Sequence, residues 1–234
     1  MKHIFIHDLH GEDFWKEINV RKYDKLIFVG DYVDHDHFSD FKILKNLQDL
    51  IKFKRRHPNK IVFLLGNHDI FYMYYPQFQC SDTRPTMQKD LTRLYNNNKD
   101  CFQVAYQVGN LIATHAGITN SWYADFLRFP FLDKMKQEYP TLANLLNRID
   151  QGSERYLLHT AGYARLGYGN GGITWADKSE TATDMLAGFH QVVGHTVVPQ
   201  IETIETENAS VTYINVAEHQ GSFYELDIVP ESLI

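Results

Sequence analysis

Short apolar runs that end at an Asp, Asn or His side chain, usually beside a glycine, constrain the fold of this chain more than any other feature. Residues 2–6, 26–29, 61–65, 112–114 and 192–194 all show this pattern. Short runs of β-branched and aliphatic residues with such boundaries are typical of buried strands. The sequence therefore predicts several buried strands whose ends carry polar side chains.

Helical patterns lie between these runs. Residues 38–53 carry apolar side chains at spacings of three and four, which predicts an amphipathic helix. Its apolar positions are Phe41, Leu44, Leu47, Leu50 and Ile51. Strands that alternate with helices favour a layered α/β domain in which the loops at the strand ends carry the chemistry.

The rest of the chain is less regular. Gly109-Asn110 separates residues 102–108 from residues 111–114, and this dipeptide suits the tight turn of a hairpin. Residues 121–149 have a helical pattern with breaks near Pro130 and Pro140. The remaining predictions are a glycine-rich loop at residues 162–172 and strands at residues 191–194, 211–216 and 222–228. Since no repeat or linker divides the chain, we predict one domain over residues 1–234, with a partly helical elaboration at about 121–172.

Composition excludes several classes of protein. Lys+Arg 23 against Asp+Glu 29 gives a net charge of −6, which argues against nucleic acid as the main partner. No apolar run approaches the roughly 18 residues that span a bilayer, so no membrane partner is expected. The early charges of residues 1–8 do not suit a secretory signal, and two cysteines, Cys80 and Cys101, make no disulfide framework. We therefore expect a reduced, cytoplasmic protein.

The polar residues that follow the apolar runs share the ability to bind metal ions. They are Asp8 and His10 after the first run, Asp31 and Asp34 after the second, Asn67, His68 and Asp69 after the third, and His115 and His195 after the last two. If the strands lie side by side, these oxygen and imidazole donors converge at one edge. Such a mixed set suits Mn, Fe, Zn or Ni.

The motifs around these residues resemble those of the calcineurin-like metallophosphoesterases, and within them the serine/threonine phosphoprotein phosphatase branch of bacterial or phage type. The motifs span residues 8–196 in the family's order: Asp8-Leu9-His10-Gly11, Gly30-Asp31-Tyr32-Val33-Asp34, Gly66-Asn67-His68-Asp69, Thr114-His115-Ala116-Gly117 and Gly194-His195-Thr196. The resemblance implies a β-sandwich flanked by helices, with the active site at the C-terminal ends of the strands.

The resemblance also implies two divalent metal ions, with manganese as the expected metal and iron, zinc or nickel as alternatives. Asp8, His10 and Asp31 would hold one metal, and Asp31 would bridge to a second. The implied ligands of the second metal are Asn67, His115 and His195. Two divalent cations bring a surplus of positive charge that attracts phosphate, and a hydroxide bridging them would attack phosphorus.

Several residues around these ligands receive a role, or differ from the related phosphatases. His68 is the expected general acid that protonates the leaving oxygen, and Asp34 would hold its tautomer and raise its pKa. Arg165, with Asn67, is a candidate phosphate-binding residue. The related phosphatases carry Arg-Gly after the second motif where this chain has His35-Asp36, and a small residue where it has His7.

The resemblance favours a serine/threonine-phosphatase-like phosphomonoesterase. The alternatives are a nucleotide or dinucleoside polyphosphate hydrolase, similar to diadenosine tetraphosphatases, and a non-catalytic phosphatase-like binding scaffold. The expected partner is accordingly a phosphorylated substrate: a phosphoprotein, a nucleotide or a small phosphoester. The aromatic residues 71–75 follow the third motif and favour core packing over stacking on a nucleoside.

Overall fold

The computed structural model describes residues 1–217 and 223–228, and within them the strands form two five-stranded sheets. The strands of the first sheet are β1 (Lys2–Ile6), β2 (Lys25–Phe28), β3 (Ile61–Leu64), β4 (Phe102–Gln103) and β10 (Tyr224–Asp227), in the order β10-β1-β2-β3-β4. Strands β1 to β4 pair in parallel, and β10 is antiparallel to β1. The C-terminal ends of β1, β2 and β3 therefore meet at one edge.

The second sheet has the same number of strands but a different pairing. Its strands are β5 (Tyr106–Val108), β6 (Leu111–Ala113), β7 (His190–Val193), β8 (Glu202–Glu205) and β9 (Ser210–Tyr213), in the order β5-β6-β7-β9-β8. The inner strands β6, β7 and β9 are parallel, while β5 and β8 are antiparallel additions at the edges.

The two sheets pack face to face through alternating side chains. Phe5, Ile27 and Leu64 of the first sheet share one buried cluster with Leu111 and Val192 of the second. The intervening residues of the same strands, such as Ile4, Ile6, Leu26 and Phe28, belong to a separate cluster that includes helix residues. Because successive strand side chains point to opposite faces, one apolar run serves both cores. The expected α/β sandwich with flanking helices is confirmed.

The flanking helices cover the outer faces of the sandwich. They are α1 (Asp40–Arg56), α2 (Asn67–Met73), α3 (Gln88–Asn96), α4 (Asn120–Phe126), α5 (Phe131–Glu138), α6 (Leu142–Asp150) and α7 (Lys178–Thr181). Short 3-10 turns occupy Phe14–Glu17, Val20–Lys22, Pro85–Met87, Lys99–Cys101, Ser153–Leu157 and Tyr163–Arg165. None of the described helices has the length and apolar character needed to cross a bilayer.

Helix α1 departs from the predicted apolar stripe at one position. The Ser39 side chain accepts a hydrogen bond from the Lys42 backbone N–H, so the helix begins at Asp40. Ile43, Leu47 and Leu50 are buried on its inner face, whereas Phe41 is 76% exposed. The stripe therefore begins at Ile43, and the prediction for Phe41 was wrong because this residue lies in the first turn, on the solvent side.

The predicted hairpin of residues 102–108 and 111–114 is only half correct. Strand β4 pairs with β3 in the first sheet, while β5 pairs with β6 in the second. The Asn147 side chain accepts hydrogen bonds from the backbone N–H groups of Val104 and Ala105, where the chain crosses between the sheets. A side chain distant in sequence thus completes the hydrogen bonding of this crossing.

The remaining predicted elements hold in outline. The helical segment 121–149 divides into α4, α5 and α6, with breaks at Pro130 and Pro140, as predicted. The predicted strand at residues 222–228 corresponds to β10, and its first residue, Ser222, lies outside the described residues. The assignment of residues 1–234 to one domain stays a prediction.

Candidate metal centre

The strand ends bring together every residue proposed as a metal ligand. Asp8 and His10 follow β1, Asp31 follows β2, and Asn67 begins α2 just after β3. His115 follows β6 and His195 follows β7 in the opposite sheet. Contacts between the sheets close the site, since the His195 backbone N–H lies 3.0 Å from Asp8 Oδ2.

One group of potential ligands consists of His10, Asp31 and His68, each offering an atom within 4.8 Å of the others. His10 donates from Nδ1 to the Val33 carbonyl at 2.8 Å, so its Nε2 atom faces Asp31 Oδ2 at 3.8 Å. His10, Asp31 and Asp34 have backbone φ angles of 44°, 52° and 68°. Such left-handed conformations are uncommon outside glycine and cluster at functional sites.

A second group consists of Asp31, His115 and His195. His115 donates from Nδ1 to the Val29 carbonyl at 2.8 Å, which fixes its tautomer and directs Nε2 into the site. That Nε2 atom lies 3.3 Å from Asp31 Oδ2, 3.0 Å from Asn67 Oδ1 and 3.2 Å from His195 Nδ1. Asp31 belongs to both groups, which is the position that a bridging carboxylate requires.

This donor set fits two divalent cations. The His195 Nε2 atom is buried and has no hydrogen-bond partner among the described residues. Three oxygen and nitrogen atoms also converge on His115 Nε2, at distances of 3.3, 3.0 and 3.2 Å. A buried polar site with an unsatisfied nitrogen and converging lone pairs is the arrangement that a metal ion completes. The chemistry of the residues thus suits borderline metals of the kind predicted.

The ionisation of these groups reflects the density of buried charge. Burial raises the pKa of Asp8 to about 6, against the opposing effect of His115. Burial alone would lower the pKa of His115, but the carboxylates of Asp31 and Asp8 outweigh it and raise the pKa to about 9. Burial and the neighbouring His115 hold the pKa of His195 well below its ordinary value. The pKa of Asp31 is lowered instead, because the charges of His115 and His68 outweigh the effect of burial.

The expected acid and its orienting carboxylate are in direct contact. His68 donates from Nδ1 to Asp34 Oδ2 at 2.9 Å, and Asp34 Oδ1 accepts from the Tyr72 hydroxyl at 2.6 Å. Burial disfavours the charged ring of His68, but the Asp31 charge and the Asp34 hydrogen bond outweigh it and raise its pKa well above the ordinary value. A protonated imidazole is therefore held beside the metal-binding groups.

A cavity of about 500 Å³ opens over this centre. Its lining includes Asp8, His10, Asp34, His68 and His195. The lining also includes Asp36, Asp82, His35 and His37. No Lys or Arg of the described residues lines the cavity. The histidines are therefore the groups of the described lining that can carry positive charge.

Several residues that support the site received no role from the sequence. Asn215 follows β9, is buried, and donates from Nδ2 to Asp8 Oδ2 at 3.0 Å. The Cys80 thiol accepts a hydrogen bond from Asn67 Nδ2 at 3.3 Å, which leaves Asn67 Oδ1 turned toward His115. The available signal for Asn215 was its place directly after a buried apolar run, which it shares with the predicted ligands.

Asp69 connects the second and third motif loops. Its carboxylate accepts hydrogen bonds from the backbone N–H groups of Asp31 at 2.7 Å and Gly66 at 2.8 Å. It also accepts from the Tyr32 N–H at 3.1 Å and the Tyr95 hydroxyl at 2.5 Å. Asp69 therefore positions Asp31 through its backbone and does not itself face the cavity.

Two glycines permit the close approach of the loops. A Cβ atom on Gly66 would lie 2.1 Å from Asp31 Oδ1, and one on Gly194 would lie 2.1 Å from Asp8 Oδ1. Real side chains do not tolerate such distances, so both carboxylates depend on a glycine beside them.

The two departures from the related phosphatases have structural explanations. The His35 ring stacks on Phe38 with centroids 4.2 Å apart, and burial lowers its pKa. His35 therefore does not supply the positive charge of the arginine it replaces. The buried His7 ring stacks on Phe14 at 5.0 Å, and it belongs to neither group of potential ligands found among the described residues.

Arg165 lies close to the centre but is already engaged. It donates from Nη2 to Thr196 Oγ1 at 3.0 Å, and its Nε atom lies 2.9 Å from Asp177 Oδ2. Thr196 directly follows His195, so the guanidinium sits at the edge of the site. A phosphate contact by Arg165 stays a prediction, because the contacts made by this side chain hold it to Asp177.

The aromatic segment after the third motif contributes to the core. Phe71, Tyr72 and Met73 are buried, while Tyr75 is 48% exposed. The interpretation as core packing is confirmed for the three buried residues, and Tyr72 also buttresses Asp34.

Comparisons with known proteins agree with this architecture. Residues 7–199 match the family model described as calcineurin-like phosphoesterase. A mutant of a cold-active protein tyrosine phosphatase is similar in structure, with a TM-score of 0.51, 15% identity, and coverage of 90% of this chain and 70% of that one. A protein serine/threonine phosphatase from Saccharomyces cerevisiae is similar with a TM-score of 0.51, 16% identity, and coverage of 92% and 67%. A comparison with curated protein sequences gave no match.

Proposed function

As a member of the calcineurin-like phosphoesterase family, this chain is a phosphoester-hydrolysing, metal-dependent enzyme, and we propose that it is a phosphomonoesterase of the serine/threonine phosphatase type. The observation that carries the proposal is the His68–Asp34 pair: a ring nitrogen of His68 lies within 4.8 Å of potential ligand atoms of His10 and Asp31, and Asp34 orients the ring. A site that only bound metal for stability would need the ligands but not a buried, oriented proton donor.

The proposed ligand roles combine the family resemblance with the convergence of these side chains at the strand ends. We assign Asp8, His10 and Asp31 to one metal, and Asp31, Asn67, His115 and His195 to the other. When bound, the two ions supply positive charge for the phosphate oxygens and activate water as the nucleophile. We propose manganese as the metal. The oxygen and imidazole donors suit manganese, and iron, zinc and nickel are the alternatives that the same donors accept.

His68 acts on the leaving group in this proposal. Its Nδ1 atom donates to Asp34, so Nε2 carries the transferable proton toward the cavity. In the metal-free site Asp31 and Asp34 raise the pKa of the ring, which favours the protonated state that a general acid needs before the ester bond breaks. Tyr72 holds Asp34 from the other side and limits rotation of its carboxylate.

The charge of the cavity lining supports a monoester over a polyphosphate. The lining carries the carboxylates of Asp36 and Asp82, and none of the described lysines or arginines. The metal ions match the charge of a single phosphate group. Additional phosphates of a dinucleoside polyphosphate would face these carboxylates without compensating cations.

The test uses protein stripped of metal by a chelator. We expect hydrolysis of p-nitrophenyl phosphate only after manganese is restored, and faster release of phosphate from a phosphoserine peptide than from a dinucleoside tetraphosphate. Faster hydrolysis of the dinucleoside tetraphosphate than of the phosphoserine peptide would favour the nucleotide hydrolase. Two bound metals without turnover on any substrate would instead support the non-catalytic scaffold.

A further inference from the structure

An exposed apolar surface borders the candidate active site. Tyr163, Leu166 and Tyr168 are 73%, 99% and 88% exposed, and the nearby Val197 is 61% exposed. We call these four residues the apolar rim. Isolated exposed apolar side chains are ordinary, but neighbouring ones mark surfaces that bind a partner.

Val197 links the apolar rim to the metal centre. Val197 lines the same cavity as His68 and His195. Thr196, between His195 and Val197, accepts a hydrogen bond from Arg165, which precedes Leu166 in the exposed loop. Val197 is therefore linked to the exposed loop through the Thr196–Arg165 hydrogen bond.

The loop holds its shape without a partner. Backbone hydrogen bonds join Tyr163 N–H to the Gly169 carbonyl at 3.0 Å, Gly167 N–H to Gly162 at 2.9 Å, and Tyr168 N–H to Ala161 at 3.1 Å. Arg165 ties the loop to the site through Thr196 and Asp177. Leu166 occupies the left-handed region with φ 62°, which is uncommon for a branched aliphatic residue. A loop fixed in this way presents its apolar side chains at little further entropic cost.

From these observations we propose that the apolar rim docks the polypeptide segment flanking the phosphorylated residue of a protein substrate; this rests on the proposed phosphomonoesterase function. The rim offers aromatic and aliphatic contacts, and the one cation of the loop at residues 161–169, Arg165, is paired with Asp177. The adjacent cavity carries carboxylates rather than free cations. A neutral, apolar peptide segment fits this surface, whereas a polyanionic nucleotide chain does not.

The experiment compares two phosphoserine peptides on the manganese-loaded protein. One peptide carries leucines on both sides of the phosphoserine, and the other carries serine and glycine at the same positions. Their kcat/KM values are each divided by that for p-nitrophenyl phosphate. We expect the wild-type protein to prefer the leucine peptide by about tenfold, the effect of burying part of one or two apolar side chains.

The variant is Leu166→Asn combined with Tyr168→Ser. Asn adopts left-handed backbone conformations more readily than Leu, so this variant is expected to fold. Its preference for the leucine peptide should disappear. Tyr156→Ser is the matched control, since Tyr156 is 50% exposed but lies outside the cavity and the rim, and it should keep the preference.

Each outcome decides the inference. A variant that keeps the tenfold preference overturns the docking role. A wild-type dimer that becomes monomeric in the variant, with the peptide preference retained, overturns it in favour of a second copy of this chain. If the loaded wild-type protein hydrolyses neither peptide, the proposed function fails and the inference fails with it. If it hydrolyses both equally, only the inference fails.

Discussion

His68 Nδ1 lies 2.9 Å from Asp34 Oδ2, and the Asp34 side chain is fully buried at this contact. The two residues come from different loops, one after β2 and one at the start of α2. A buried carboxylate that accepts from Nδ1 and from Tyr72 fixes the imidazole tautomer and favours its protonated form. This arrangement converts a histidine next to a metal ligand into an oriented acid.

Replacing the acid should separate chemistry from metal binding. We expect His68→Ala to lower kcat by about 10²- to 10⁴-fold, the usual contribution of a general acid. Calorimetric titration should still find manganese bound, because the six assigned ligands stay in place. His57→Ala, at the end of α1, is the control and should keep wild-type kcat. A site emptied by His68→Ala would contradict the assigned role.

Removing the amide that holds Asp8 should weaken metal binding. Asn215 donates to Asp8 Oδ2 at 3.0 Å, and groups that orient a ligand in this way are worth about 10- to 100-fold in metal affinity. Asn215→Ala should raise the manganese dissociation constant by that factor in a calorimetric titration. Asn208→Ala changes an exposed residue between β8 and β9 and should leave it unaltered. Equal affinities in the two variants would show that Asp8 needs no such support.

The raised pKa of His115 predicts how pH acts on the metal-free protein. Because the folded pKa of about 9 exceeds the ordinary 6.5, the protonated ring contributes stability that is complete below pH 6.5. This contribution is lost as pH rises through about 9. The Tm of metal-free protein should therefore fall between pH 6.5 and 9, and His115→Asn should remove this part of the decline.

The proton on the His115 ring should compete with metal binding. Imidazole binds metal in its neutral form, so manganese must displace the proton of His115 at pH 7.5. Calorimetric titrations in two buffers with different ionisation enthalpies should report release of about one proton per protein molecule as the site that contains His115 fills. Binding without proton release would mean that His115 is already neutral in the metal-free protein.

Adding a methyl group at Gly66 should disrupt the site by displacing the Asp31 carboxylate. Its Cβ atom would lie 2.1 Å from Asp31 Oδ1, so the bridging carboxylate must move. We expect Gly66→Ala to lose manganese binding in a calorimetric titration. Gly188→Ala is the comparison, because its φ of 81° costs ~1 kcal/mol while no atom lies within 4 Å of the new Cβ. This control should lose stability but keep its metals.

The strands and the residues at their ends could be predicted from local pattern. Runs such as residues 61–65 are apolar at every position because the structure buries both faces of the strand, between the sheets and beneath the helices. Polar residues after them, such as Asp8 and His115, are also buried, but they lie at the candidate metal centre and not in an apolar core. The failures came from tertiary context: Phe41 fitted the helical spacing but faces solvent, and residues 102–108 contain strands that belong to different sheets.

The sequence by itself determined the identity of the groups in the centre, because each of Asp8, Asp31, Asn67, His115 and His195 stands at the end of its own apolar run. Only the tertiary structure decided how those groups are held. Asn215 lies more than two hundred residues from Asp8, its hydrogen-bond partner, and Asp69 acts through the backbone of Asp31. The charge of His35 likewise depends on packing. Its ring stacks on Phe38, and burial lowers its pKa. Residue type is local information, whereas orientation, burial and charge depend on neighbours that the fold supplies.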